Sequence, residues 1–188
     1  MWNAGRTVAD YLETHSDDRI KDKTILELGA GAGLPSLICA LHGAKEVVVT
    51  DYPDADLIEN LRFNITTNCQ AGQNIHAEGY LWGASCTLLK QHLPISERDA
   101  GFDLLILADL LFNHSEHSKL LSTVEQTLKR TDGAQALVFF TPYRPWLLEK
   151  DMEFFDLART GGFAVEKILE KVMEKVMFEE DPGVINTM

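Results

Sequence analysis

Residues Thr24 to Asp51, TILELGAGAGLPSLICALHGAKEVVVTD, hold an apolar strand (Thr24 to Leu28), a glycine-rich turn (Gly29, Gly31, Gly33), a helix and a second strand. Two strands joined by a helical crossover form a right-handed parallel unit. A chain built on that unit is committed to an α/β architecture. The crevice beyond the carboxyl ends of its strands is the usual seat of a nucleotide-like ligand.

The spacing of the glycines narrows the ligand. Pyrophosphate cofactors want G-x-G-x-x-G, with backbone N–H groups at a helix start facing the anion. Counting from Gly29 puts Leu34 at the third glycine, and counting from Gly31 puts Ser36 there. The spacing is G-x-G-x-G instead, and Glu27 adds negative charge where a phosphate would sit. A carboxylate there suits an ammonium and a sulfonium, since opposite charges attract strongly near a partly dry site. Asp51, ending the second strand, is placed to accept hydrogen bonds from ribose hydroxyls. Pro35 fits a helix start, where a missing N–H costs nothing. The pattern favours S-adenosylmethionine over a nicotinamide dinucleotide. A purely structural glycine turn in another α/β protein is the competing reading.

Composition excludes other classes. With 188 residues, 45% of them apolar, the chain is expected to form one domain with a single sizeable core. No apolar run approaches the ~20 residues of a membrane-spanning helix. The N-terminus lacks a basic-then-apolar signal pattern. Cys39, Cys69 and Cys86 are widely spaced, as expected of reduced cytoplasmic thiols without metal-binding spacing. A formal charge of −12 argues against a nucleic-acid interface, which needs a basic face, and would suit a basic protein partner.

Along the chain, Val8, Tyr11, Leu12 and His15 mark one side of an N-terminal helix, and Asp17 to Lys23 is a polar connection. Asp54 is predicted to cap a helix burying Leu57, Ile58, Leu61 and Ile65. Asn74 to Tyr80 is a weaker strand. Trp82 lies just beyond it, where a flat aromatic face could stack on an adenine or simply belong to the core. Asp103 to Ala108 is a near-continuous apolar strand, as expected when both faces are covered. Its exit residue, Asp109, opens on the same crevice as Gly29 and Asp51 and is the best catalytic candidate. A helix is predicted from Ser115 to Arg130, a strand from Ala134 to Phe140 and a helix from Leu147 to Arg159. The loop Thr141 to Trp146 is a candidate substrate wall. Residues Phe163 to Leu169 fit either a sixth strand or the start of an amphipathic helix; the strand is favoured, with a helix after it and a turn at Asp181-Pro182-Gly183.

The segments WNAGR, LELGAGAGLPS, VVVTDYPD, ADLLFNHSEH, FFTPYRPW and EKVMEKVMFEEDPG together resemble the seven-β-strand class I methyltransferases, and within them the family-16 lysine methyltransferases, in a nicotinamide-methyltransferase-like fungal branch. The resemblance spans almost the whole chain. The glycine motif specifies only the superfamily, whereas FFTPYRPW and EKVMFEEDPG are far more specific. It implies a Rossmann-like, doubly wound, mostly parallel sheet with helices on both faces. It also implies S-adenosylmethionine as cofactor and, as substrate, the N-terminal glycine and adjacent lysine of translation elongation factor 1-alpha. Trp2, Gly29, Ala30, Gly31, Asp51, Trp82 and Ala108 fall where the family contacts the cofactor, with Glu27 and Gly33 completing the first motif. Asp109 to Phe112 matches the acidic-x-x-aromatic signature that shapes the amine pocket, with Phe112 where many relatives have tyrosine.

Two departures are expected to matter. The segment that normally precedes Trp2 is absent, and so is the antiparallel seventh strand after Gly183. Residues 1–188 are therefore expected to be one methyltransferase domain shortened at both ends. In the implied mechanism Asp109 orients a neutral amine and helps its deprotonation, while Phe112 and Tyr143 border the cationic product. A cofactor-binding protein without catalysis and a small-molecule amine methyltransferase remain as alternatives.

Overall fold

The runs TILEL and LLILA have almost no polar alternation, and such strands are stable only at the centre of a sheet covered on both faces. That is where the computed structural model, which describes residues 3–172, places them. The elements run α1 (Asn3–Thr14), α2 (Ser16–Arg19), β1 (Thr24–Leu28), α3 (Leu34–Leu41), β2 (Glu46–Asp51), α4 (Ala55–Asn68), β3 (Ile75–Gly79), α5 (Thr87–Gln91), β4 (Leu104–Ala108), α6 (His117–Thr127), β5 (Gln135–Phe139) and α7 (Leu148–Thr160). Among the described residues the strands form one parallel sheet in the order β3-β2-β1-β4-β5. Register aligns Ile25 with Val47 on one side and with Leu104 on the other.

Alternate residues of each strand feed opposite faces. Ile25, Val47, Leu104 and Ile106 pack with Val8 and Leu12 of α1, Leu37 of α3, and Ile58 and Leu61 of α4. Leu26, Leu28, Leu105 and Leu107 pack with Leu89 of α5, Leu120 and Val124 of α6, and Phe154 of α7. Asp54 caps α4 as expected, accepting from the N–H groups of Asp56 (3.0 Å) and Leu57 (3.3 Å). No helix among the described residues is long and apolar enough to cross a membrane.

Several expectations need correction. The sixth strand is not formed: residues 163–172 have no regular structure, although Phe163 and Val165 pack against the core. Glu166-Lys167 and the adjacent pair Ile168-Leu169 break the period of two, and Ile168 and Leu169 remain exposed. The expected helix from Ser115 to Arg130 begins as a 3-10 turn (His114–Glu116) and stops at Thr127. It stops because Phe102 draws the chain away, its N–H donating to Thr127 O and its carbonyl accepting from Lys129 N–H. The connection after α1 contains the short α2, and Leu57 and His15 face solvent. The expected helix and turn after residue 172, and the expected loss of a seventh strand, lie outside the described residues.

Candidate functional site

The strand order reverses between β1 and β4, and a doubly wound sheet opens its ligand crevice at that point. A cleft of about 710 Å³ lies there, within the range of small-molecule and cofactor sites. It brings together Glu27, Gly29, Ala30, Gly31, Asp51, Trp82, Ala108, Asp109 and Phe112 from four separate segments of sequence.

The glycine loop leaves β1 in left-handed conformations, with φ +60° at Gly29, +58° at Gly31 and +75° at Gly33. Glycine adopts these freely and residues with a Cβ do not. At Gly29 a Cβ would also stand 2.6 Å from Leu110 Cδ2 and 3.3 Å from Trp82 Cζ2, whereas at Gly31 it would meet nothing within 4 Å. The loop is fastened where Ala30 N–H donates to Thr50 O. Gly33 caps α3 from behind the cleft wall and does not line it.

Glu27 is almost fully enclosed, and its Oε2 accepts from the N–H (3.0 Å) and the hydroxyl of Ser36 in the first turn of α3. Burial lifts its carboxyl to about 8, against the lowering effect of those two hydrogen bonds. In the ligand-free protein at neutral pH this group is therefore mostly protonated. At the tip of β2, Asp51 Oδ2 accepts from Gly31 N–H (2.6 Å) and Oδ1 from Tyr52 N–H (2.7 Å). Each oxygen keeps a second lone-pair direction for a ligand hydroxyl. Trp82 is half-buried beside Gly29, and the exposed Tyr52 and Leu81 complete that wall.

At the exit of β4, Asp109 is a non-glycine residue with φ +57°, a conformation that aspartate tolerates better than most. Its Oδ2 accepts from Ala4 N–H of α1 (3.1 Å) and its Oδ1 from Thr141 N–H (2.8 Å), and the Tyr143 hydroxyl also bonds to it. Burial raises its carboxyl above the ordinary range while these donors pull it back. Phe112 stands exposed on the cleft's outer lip, where its carbonyl accepts from Arg144 Nη2 (3.1 Å). Tyr143 is not part of the cleft lining, because its hydroxyl turns toward Asp109 and accepts from Asn3 N–H. Trp2 lies outside the described residues. Sequence reasoning missed Tyr52, Leu81 and Gly5. The first two carry a readable signal, bulky groups within two residues of a strand end; Gly5 carries none.

This cleft meets the demands of a phosphate-free, cationic adenosyl cofactor. A cradle at Gly29 that a side chain would fill, a carboxylate at the tip of β2 and an enclosed carboxyl beneath the loop are all present. The fold and site define a class I methyltransferase that uses S-adenosylmethionine as methyl donor. Residues 1–160 match the lysine methyltransferase family model, and the chain belongs to that family.

Among its relatives is the protein N-terminal and lysine N-methyltransferase efm7 of Emericella nidulans, 47% identical over 188 residues, 97% of this chain and 73% of that one. The protein of the same name from Neurospora crassa is 51% identical over 190 residues, 97% and 67% of the two chains. That from Schizosaccharomyces pombe is 46% identical over 183 residues, 97% and 71%. Of solved structures, PH0226 from Pyrococcus horikoshii OT3 superposes with a TM-score of 0.55 at 21% identity, over 80% of this chain and 65% of that one. YcgJ from Bacillus subtilis gives 0.51 at 19% identity, over 68% and 48%. At such identities they speak for the fold alone.

Proposed function

We propose that this chain methylates the N-terminal glycine and adjacent lysine of translation elongation factor 1-alpha, acting in the cytoplasm as a single methyltransferase domain over residues 1–188. The observation that carries the reading is an acidic, aromatic-lipped exit of β4 opening on a cofactor cleft, in a chain about half identical to proteins named N-terminal and lysine N-methyltransferases. The elongation-factor assignment draws on the FFTPYRPW and EKVMFEEDPG segments. Three unpaired cysteines accord with a reducing compartment.

S-adenosylmethionine supplies an electrophilic methyl group on a positively charged sulfur. Gly29, Ala30 and Gly31 would hold the cofactor with their backbone, Asp51 would take its ribose hydroxyls, and Glu27 would balance its positive charge. Trp82 and Ala108 would flank the adenine, and Trp2 and Gly33 complete the set by resemblance. Little covalent chemistry is asked of the protein, so positioning carries most of the rate. Asp109 is the proposed catalytic group. Its oxygens accept from Ala4 and Thr141 N–H, and the side chains of Tyr143 and Thr141 also bond to it, so the carboxylate is held in a fixed place at the cleft wall. It orients the amine and helps its deprotonation by relaying the proton the amine must lose to water at the open mouth. Phe112 borders the product, where an aromatic face attracts the alkylated ammonium, and Tyr143 steadies that rim from behind.

The test is mass spectrometry of an elongation-factor 1-alpha N-terminal peptide incubated with the protein and isotope-labelled cofactor. Label on the glycine amine and the adjacent lysine is expected. Label on small amines alone overturns the protein substrate, and tight cofactor binding with no transfer to any amine overturns the enzyme reading. Asp109→Asn should lower peptide kcat/KM by roughly tenfold to a thousandfold. Unchanged methylation with cofactor bound would remove Asp109 from its role.

A further inference from the structure

The N-terminal turn of α1 has no acidic residue of its own, yet two of its otherwise orphan N–H donors, those of Asn3 and Ala4, are satisfied. They are satisfied from far along the chain. Ala4 N–H donates to Asp109 Oδ2 across 105 positions, and Asn3 N–H donates to the Tyr143 hydroxyl across 140. Tyr143 in turn bonds to Asp109, and Asp109 Oδ1 holds Thr141 N–H. One enclosed carboxylate therefore joins the exits of β4 and β5 to the first turn of α1. The rest of α1 is secured independently, through Val8, Ala9 and Leu12 buried against the sheet. Gly5, one residue past the latched amide, lines the cofactor cleft.

We infer that Asp109 and Tyr143 form a latch that positions the first turn of α1 as a wall of the S-adenosylmethionine cleft. When the latch opens, that turn frays while the remainder of α1 stays packed, and the cleft loses the side that Gly5 provides. Tyr143 is thus a positioning residue, and Asp109 serves both ends of the site. The left-handed backbone at Asp109 aims the carboxylate at α1, which accounts for the tolerance of that conformation here. The inference rests on the cleft holding S-adenosylmethionine and not on the identity of the methylated protein.

Ala4→Pro isolates the latch. It removes the donated N–H in the first helical turn, where proline is tolerated, and leaves Asp109 intact. Amides of Val8 and Ala9 bond to first-turn carbonyls, so their hydrogen exchange reports fraying in the ligand-free protein. In Ala4→Pro that exchange should quicken about tenfold and affinity for S-adenosylhomocysteine should fall about tenfold, the equivalent of one hydrogen bond to a charged group. Turnover at saturating cofactor should stay within about twofold of wild type, a split between cofactor KM and kcat that defines positioning. Tyr143→Phe should move both readouts in the same direction by a smaller factor, and decides the matter alone if Ala4→Pro does not fold. Wild-type exchange and affinity in the folded variants overturn the latch. Loss of turnover with both readouts unchanged overturns it too, placing these groups on the amine alone. Failure of the elongation-factor assay leaves exchange and affinity unmoved, so the two readings fail separately.

Discussion

At the residue scale Glu27 shows how a charge reading changes once burial is known. As a free carboxylate it would attract the cofactor's ammonium directly, but in the ligand-free protein it is enclosed and lifted to about 8. The folded chain then keeps a proton that the unfolded chain releases above its ordinary 4.5, so the contribution of Glu27 to ligand-free stability is fully present below that value and is lost as pH rises toward 8. Glu46, pushed by burial to about 7, contributes a slope of the same sign. A bound cation favours the ionised form, so cofactor binding near pH 7 should expel a proton. Calorimetry in two buffers of different ionisation enthalpy should reveal that proton, and Glu27→Gln should abolish it and flatten part of the stability slope. At Gly29, alanine meets both a left-handed backbone and Leu110 at 2.6 Å, whereas at Gly31 it meets the backbone cost alone. Gly31→Ala should cost about 1 kcal/mol and Gly29→Ala about 2–3 kcal/mol by denaturant unfolding, with a larger loss of cofactor affinity in the second.

At the scale of elements, the central strands were legible because β1, β2 and β4 carry their apolar periodicity within themselves. Thr24–Leu28 and Glu46–Asp51 end where composition changes, at Gly29 and Tyr52-Pro53. The segment after Gly162 was not legible, because its strand character depended on pairing that local pattern does not encode. The same distinction divides the site. Glu27, Asp51 and Asp109 stand at strand ends and could be found from their position, but the bond from Ala4 to Asp109 joins residues with no shared local pattern. Asp54 belongs to the legible class, since an aspartate before an apolar-periodic run announces a cap. Asp54→Ala strips two N–H groups of α4 of their acceptor and should destabilise the fold by about 1 kcal/mol, measured as a lower denaturation midpoint with an unchanged slope.

On the scale of the whole molecule, 29 acidic against 17 basic residues leave a net charge of −12, while α4 presents Asp54 and Asp56 to solvent directly after Tyr52 of the cleft wall. A basic tail approaching that mouth is drawn by the field of many carboxylates, few of which it will touch. Such steering acts on encounter and is screened by salt, since the Debye length shortens from about 10 Å at 0.1 M to about 3 Å at 1 M. S-adenosylhomocysteine, without the sulfonium charge, is neutral overall and settles into a partly enclosed site, where screening is weaker. Raising ionic strength from about 0.05 to 0.5 M should therefore increase KM for a lysine-rich N-terminal peptide several-fold, with little change in affinity for S-adenosylhomocysteine. A peptide whose distal lysines are replaced by glutamine, keeping the target glycine and lysine, should start with the higher KM and lose most of its salt dependence. Equal salt dependence in the two peptides would mean that local contacts at the Phe112 rim, and not the molecule's overall field, select the substrate.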